Sequence, residues 1–572
     1  MDERPWFKRY DPGVPRTLQP YPERTLMDVM ADTVRERPGH TAMIFKGNRM
    51  TYAEMERLTN AFAAALLELG VQKGERVALV MPNCPQAVIG QIGAWKAGAI
   101  VAPMNPLYTE RELEYSLVEI GAETVLVMTP FYAKIKAVQS RTQVKRVIVT
   151  NIKEHLAPVM RLLFTLAMEK KQGHRVAAQP GDPQLAALLR KHAGAARPAS
   201  LPGPQDPAIL LFSGGTTGTP KAALGTHQAL LQTAMQLQAY ARSVLDDWND
   251  TLTWVMPAFH VYGNMALNTA LVARWPLAIV PNPRDIDDLV ATIRKVRPAC
   301  LHGVPTLFIA LLNHPDVKRG KAGIKSMKIC WSAAAPLMAE TKQRFEELTG
   351  GWLLEAYAMT ETMLAAACCP IHGEYKQGSV GVPLPDVDMR VVDVDTGEVE
   401  LAPGEVGEII IQAPQVMVGY WERPTETTNM IREGPRGAPA GRWVYTGDLG
   451  RIDEDGYVFI VDRKKDLIKP GGFQVWPREV EEVIATHPAV AEVSVAGVPD
   501  ERLGEAVKAW IVLRAGQQAT VDEIRAFCRE RLTGYKVPRT VEFRESLPKT
   551  MVGKVLRREL KHEEAAQREP GP

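Results

Sequence analysis

The chain has 572 residues, too many for a single hydrophobic core, and ordinary domain sizes predict three or four units. Apolar residues at 46% and charged residues at 23% give the texture of a globular enzyme and exclude a disordered or fibrous chain. A net charge of +2 leaves no basic footprint for nucleic acid, so no nucleic-acid partner is expected. Cys84, Cys300, Cys330, Cys368, Cys369 and Cys528 form no C-x-x-C pair, which argues against a zinc site or disulfide framework and for a reducing, cytoplasmic setting. The opening "MDERPWFKRYDPGVP" lacks the apolar run of a secretory signal, and no stretch reaches about 18 consecutive apolar residues, so no membrane span is expected.

Thr51 and Glu54 predict a capping box, and Met55, Leu58, Phe62, Leu66 and Leu69 keep helical spacing to Gly70. "VALVM" then reads as a strand, followed by a helix ending near Gly98, the strand "AIVA", a helix capped by Thr109 and Glu112, and the strand "TVLVM". This β-α-β alternation predicts a parallel sheet with helices on both faces, and no GxGxxG supports a dinucleotide fold. Residues 151–200 carry eight Lys/Arg against three Asp/Glu and include "LAPVMRLLFTLAMEKKQGHR", which could lie on an anionic membrane surface or pack as a helix with a basic end.

"RPASLPGPQDP" reads as a connector to the buried strand Ile209-Leu210-Leu211-Phe212, which feeds "SGGTTGTPK". Small residues, hydroxyls and Lys221 are the inventory of a phosphate cradle, but the Gly-Lys-Ser/Thr of a Walker A loop is absent. Downstream, "PAFHVYG" sets His260 among aromatics, and "WSAAAPL" is a small-residue turn that a flat ring could approach. "EAYAMTET" puts Thr360 beside Glu361, and "YTGDLG" puts Asp448 after a glycine turn, where a carboxylate can grip a diol. Near residue 462 the charged stretch "DRKKDLIKPGG" reads as a hinge, and the remaining residues, with a helix capped by Thr520 and Glu523, as a small α+β domain.

In this order the motifs resemble the adenylate-forming enzymes: acyl-CoA synthetases, non-ribosomal peptide adenylation domains and firefly luciferases. The resemblance runs from "TYAEMERLTNAFA" to "PKTMVGKVLRREL", and "SGGTTGTPK" followed by "FHVYGN" is most similar to bacterial long-chain fatty-acid–CoA ligases. It implies an α/β fold. Residues 1–461 would form a large N-terminal domain of parallel-rich sheets flanked by helices, with a β-barrel-like subdomain. Residues 462–572 would form a small mobile C-terminal domain. The implied reaction joins a fatty acid to coenzyme A in two halves: the carboxylate attacks the α-phosphate of ATP to give an acyl-adenylate and pyrophosphate, and the CoA thiol then displaces AMP.

The resemblance also implies roles. Lys554 would bridge carboxylate and α-phosphate, and Ser213, Gly214, Gly215, Thr216, Thr217, Gly218 and Lys221 would hold the outer phosphates. Glu361 and Thr216 would ligate Mg²⁺, and Thr360 would touch the α-phosphate. Asp448 and Arg463 would bind the ribose, and Ala334, Ala335, Pro336, Glu355, Ala356 and Tyr357 would enclose the adenine. Lys465 would be the pivot of a domain rotation that brings Lys469 and Gly472 to the thiol channel, while His260 shifts to open it. Val261, Tyr262, Val304, Ala333 and Met359 are the expected lining of the acyl pocket. Two departures from the family pattern stand out: Ala358 where Tyr-Gly-Met-Thr-Glu is usual, and Ala333-Ala334 where the adenine turn usually has glycines. The rival expectations are a medium-chain or aryl acid–CoA ligase, a fatty-acyl-AMP ligase without a CoA step, and a catalytically silent scaffold. Contact with the inner membrane surface and a homodimer belong to the same set of expectations.

Overall fold

The computed structural model describes residues 4–213, 220–473, 475–500, 502–550 and 555–568. Among them the strands form four sheets. The first is built on five parallel strands, Arg76–Val80, Ile100–Met104, Thr124–Met128, Arg146–Thr150 and Pro207–Ser213. They are nearly continuous Val, Ile, Leu and Ala runs because helices cover both faces, which leaves no polar side to alternate with. All three capping boxes form: each threonine accepts from the backbone N–H of the glutamate three residues on, and the glutamate reaches back. At the edge, Lys221–Thr226 turns antiparallel to Pro207–Ser213, and the distant two-residue strand Gly419–Tyr420 pairs with it.

A nine-stranded sheet is parallel through Thr41–Phe45, Leu277–Ile279, Leu252–Trp254, Cys300–Gly303, Ile329–Ser332 and Trp352–Met359. Leu364–Cys368 and Val382–Pro383 close one edge antiparallel, as Asn48–Thr51 does the other. The helix Val261–Ala273 is buried along its whole length, and His227–Ala241 touches strands of both sheets. Helices buried on every side in this way lie inside a core, and their polar residues, such as Asn264 and Gln236, are hydrogen-bonded there.

Where a barrel-like unit is expected, five strands (Asp388–Val392, Gly407–Gln412, Ile431–Arg432, Trp443–Ile452 and Val458–Arg463) form an antiparallel sheet. Its strand Val458–Arg463 pairs Arg463 with Asp448, so the expected division after residue 461 falls inside a strand. Beyond it, Val490–Asp500, Gly504–Leu513 and Thr540–Arg544 make a three-stranded sheet with the helices Pro477–Ala485, Val521–Arg529 and Arg557–Arg568. Val480, Ile484, Val495, Ile511, Ile524 and Cys528 give this unit a core of its own. All six cysteines are buried thiols.

Candidate active site

The strand Trp352–Met359 runs into a single 3₁₀ turn, Thr360–Thr362, before the chain reverses into Leu364–Cys368. The reversal places Met363 and Leu364 at positive φ (49° and 104°), a conformation that costs side-chain-bearing residues of order 1 kcal/mol or more and clusters at functional sites. It also buries Glu361. The Tyr420 hydroxyl donates to its carboxylate at 2.6 Å, and its backbone carbonyl accepts from the amide of Met417. Burial pushes the Glu361 carboxyl above the usual carboxylate range, against the pull of the Tyr420 bond.

Lys221 lies on the other side of the same tyrosine, its ammonium 5.3 Å from the ring centroid, and Ser213 is within bonding reach of the hydroxyl. One ring therefore gathers Glu361 with Ser213 and Lys221, the described residues that flank the glycine-rich loop in sequence. The loop's Gly214, Gly215, Thr216, Thr217 and Gly218 lie outside the described residues, as does Lys554. Tyr420 has no signal in its own neighbourhood. Only the edge pairing with Lys221–Thr226 brings it in.

Asp448, on the strand Trp443–Ile452, accepts from the Tyr357 hydroxyl at 2.5 Å and pairs with Arg463 Nε at 3.1 Å on the adjacent strand. Burial, with the Asp448 charge next in size, holds the Tyr357 phenol far above its ordinary range, so Tyr357 serves as a fixed donor. Ala334, Ala335 and Pro336 form an exposed turn after the strand Ile329–Ser332, with Ala334 at φ 71°, in the left-handed region that a glycine would occupy without strain. The Glu355 carboxylate accepts from Tyr375 at 2.8 Å and from the Leu337 amide at 3.4 Å, so it is held behind this turn. Glu355 is also pushed upward by burial.

His260 caps the helix Val261–Ala273, its Nδ1 accepting from the Tyr262 amide at 3.2 Å. Gly263 permits that geometry: a Cβ there would lie 2.1 Å from the carbonyl oxygen of Pro257. Next to the cap opens an apolar cavity. Tyr262, stacked on His302 at 5.5 Å, and Trp331 form one wall. Ala356, Tyr357 and Ala358 form another, and Leu237, Tyr240, Ala241, Thr269 and Trp275 line the helical end. Burial lowers His302 to about 4, so the ring is neutral. Of the five residues expected here, Tyr262 and Ala333 line the cavity and Val261, Val304 and Met359 do not. Tyr240, Trp275 and His302, which sequence reading did not single out, reach it from a helix, a connector and a strand.

Lys465 sits in the 3₁₀ turn Lys464–Asp466 between the two units, and partial burial lowers its ammonium to about 8. The Lys469 amide donates to Glu505, and Pro470–Gly472 forms the next turn. Arg557 Nη1 reaches Asp462 and Asp466 at 3.2 Å each, and its Nη2 reaches Glu481 at 2.7 Å.

Two family models match the chain: "AMP-binding enzyme" over residues 30–421 and "AMP-binding enzyme C-terminal domain" over residues 479–554. The chain is 38% identical over 568 residues to a long-chain-fatty-acid–CoA ligase of Bacillus subtilis, covering 99% of both chains. It is 36% identical to the corresponding protein of Escherichia coli O157:H7, covering 98% of each. Among solved structures, ATP-bound MatB from Rhodopseudomonas palustris matches at a TM-score of 0.81 and 30% identity, covering 94% of this chain and 99% of that one. The anthranilate CoA ligase AuaEII in complex with anthranoyl-AMP matches at a TM-score of 0.81 and 26% identity, covering 96% and 99%.

Proposed function

The chain belongs to the AMP-binding enzyme family, and from that premise we propose that it ligates a long-chain fatty acid to coenzyme A through an acyl-adenylate, releasing AMP and pyrophosphate. One observation carries this reading: Tyr357 lines the apolar cavity and bonds the Asp448 carboxylate, so a single side chain is shared by an apolar pocket and a ribose-type grip. The first half-reaction joins two anions and needs fixed donors and positive charge where they meet. Lys221, the hydroxyl of Thr360 and, from the small domain, Lys554 are assigned to that task. Asp448 and Arg463 are assigned to the ribose, and the Ala334–Pro336 turn with Tyr357 to the adenine.

Mg²⁺ is commonly bound by one or two carboxylates together with substrate phosphates and waters, and a single buried carboxylate such as Glu361 fits that donor set. When bound, the ion would neutralise charge on the leaving pyrophosphate. Glu361, with Thr216, would hold it, and Tyr420 orients the carboxylate. Residues 462–572 are assigned to a small domain that turns about Lys465, withdrawing Lys554 and bringing Lys469 and Gly472 to the thiol.

The rings of Tyr240, Tyr262, Trp275 and Trp331 around the cavity favour a second reading, an aromatic acid as substrate. Incubation with ATP, Mg²⁺, CoA and a panel of acids from acetate to oleate plus coumarate separates the two. Palmitate should give AMP and palmitoyl-CoA with the highest kcat/KM. Preference for coumarate selects the second reading, AMP release without thioester removes the CoA step, and no turnover with any acid overturns both readings.

A further inference from the structure

The polar side chains around the apolar cavity are almost all satisfied within the protein. Tyr240 donates to the Cys368 carbonyl at 3.0 Å, Tyr262 to the Trp331 carbonyl at 2.9 Å and Thr269 to the Met265 carbonyl at 2.8 Å. The Trp331 indole N–H donates to Cys368 Sγ at 3.2 Å, and Tyr357 donates to Asp448. Two lining side chains break the pattern. His302 Nδ1 and Trp275 Nε1 are buried nitrogens with no hydrogen-bond partner among the described residues. His302 is 6% exposed and Trp275 1%.

Ring contacts, not hydrogen bonds, hold His302 in place on the strand Cys300–Gly303. Tyr262 stacks on it at 5.5 Å, and Trp331 meets it edge-on at 5.1 Å. Because the buried ring is neutral, it offers one N–H and one bare nitrogen, whereas the Trp275 indole can only donate. A buried polar nitrogen without a partner is destabilising, so each such atom asks for an explanation. A methylene chain in the cavity would leave both as they are. A hydroxyl serves either one, since it accepts from an N–H and donates to a bare nitrogen.

We propose that this cavity selects carboxylic acids that carry a hydroxyl remote from the carboxylate, with His302 as the residue that reads it and Trp275 as a second donor. The inference rests on the acid–CoA ligation proposed above and names the substrate class within it. Aliphatic hydroxy acids and phenolic acids share this chemistry, and the assay separates the two sources.

The test compares kcat/KM for thioester formation within matched pairs that differ by one hydroxyl. The pairs are octanoate and ω-hydroxyoctanoate, dodecanoate and ω-hydroxydodecanoate, palmitate and ω-hydroxypalmitate, and cinnamate and coumarate. In at least one pair the hydroxylated acid should win by at least ~tenfold, because a site built to bond a hydroxyl discriminates against the analogue lacking it. The winning pair identifies the source. His302→Phe keeps a ring for the aromatic contacts but removes both nitrogens, and should bring that ratio to within about twofold of unity. His302→Gln, which restores a polar end, should recover part of it, and Trp275→Phe should lower it several-fold. Equal turnover within every pair by the native enzyme overturns the inference while the ligase reading stands, and assigns the two nitrogens to bound water. A preference that survives both Phe variants overturns it as well. Absence of turnover with every acid removes the ligase reading, and this inference with it.

Discussion

Tyr420 donates its hydroxyl to Glu361 across 2.6 Å, from a strand 59 residues further along the chain. A hydrogen bond to a buried charged group contributes roughly 1.5–3 kcal/mol. Tyr420→Phe should therefore lower kcat/KM for adenylation by roughly ten- to a hundredfold. Loss of the donor leaves the carboxylate less stabilised and its protonation easier, so the acid limb of the rate–pH profile should move to higher pH. A profile that falls in height without moving would show that Glu361 is not the group that ionises.

The cavity is lined by Tyr357, whose hydroxyl bonds Asp448, by the helical residues Leu237, Ala241 and Thr269, and by Trp275 just beyond the second helix. Filling the helical end should shorten the acid that fits. Ala241→Phe is expected to cut kcat/KM for palmitate at least ~tenfold, the scale of a few lost methylene contacts, while leaving octanoate nearly unaffected. Equal losses on both acids would mean the chain does not lie along this cavity.

Lys554→Ala should abolish most AMP formation from fatty acid and ATP, yet leave thioester formation from supplied acyl-adenylate within a few-fold of native. Measuring the two half-reactions separately decides it. Equal loss in both contradicts a small domain that presents one face to each step.

Lys96 is fully buried, with its ammonium 2.7 Å from Glu56 and bonded to Thr59 and Asn60. Burial lowers it to about 8 from an ordinary 10.5, so between those values the unfolded chain binds the extra proton and the folded one does not. Stability should therefore rise with pH from about 8 to 10.5, by at most ~3 kcal/mol. Lys96→Met should remove that slope. Urea midpoints of both proteins across the window provide the check, and parallel curves would place the proton elsewhere.

What could be read beforehand was local. The boxes at Thr51, Thr109 and Thr520 are decided by two side chains three residues apart, and the strand Pro207–Ser213 by its unbroken apolar run. Asp448, Arg463 and Tyr357 were legible as motif members, and their contact follows from strand pairing and a fixed phenol. Tyr420, Tyr240, Trp275 and His302 were not legible. Each sits in an unremarkable apolar stretch and reaches the site only through sheet order or helix packing across long separations. Tyr262 and Ala333 line the cavity, while Val261 and Val304 are buried and are not among its lining residues. Ala334 is an intermediate case, since its left-handed backbone is visible only because an alanine stands where glycine carries no strain.

Asp462 lies one residue from the end of the strand Val458–Arg463, yet its carboxylate is held from the small unit, by Arg557 at 3.2 Å and by the Arg478 amide at 2.7 Å. Any swing about Lys465 has to detach both while Arg557 keeps Glu481. The ion pair is largely shielded, with Asp462 2% exposed, so salt weakens it less than it would a surface pair. Asp462 would then act as an escapement: how readily one carboxylate trades two nitrogens for water would set the tempo at which the enzyme passes from making its activated intermediate to discharging it.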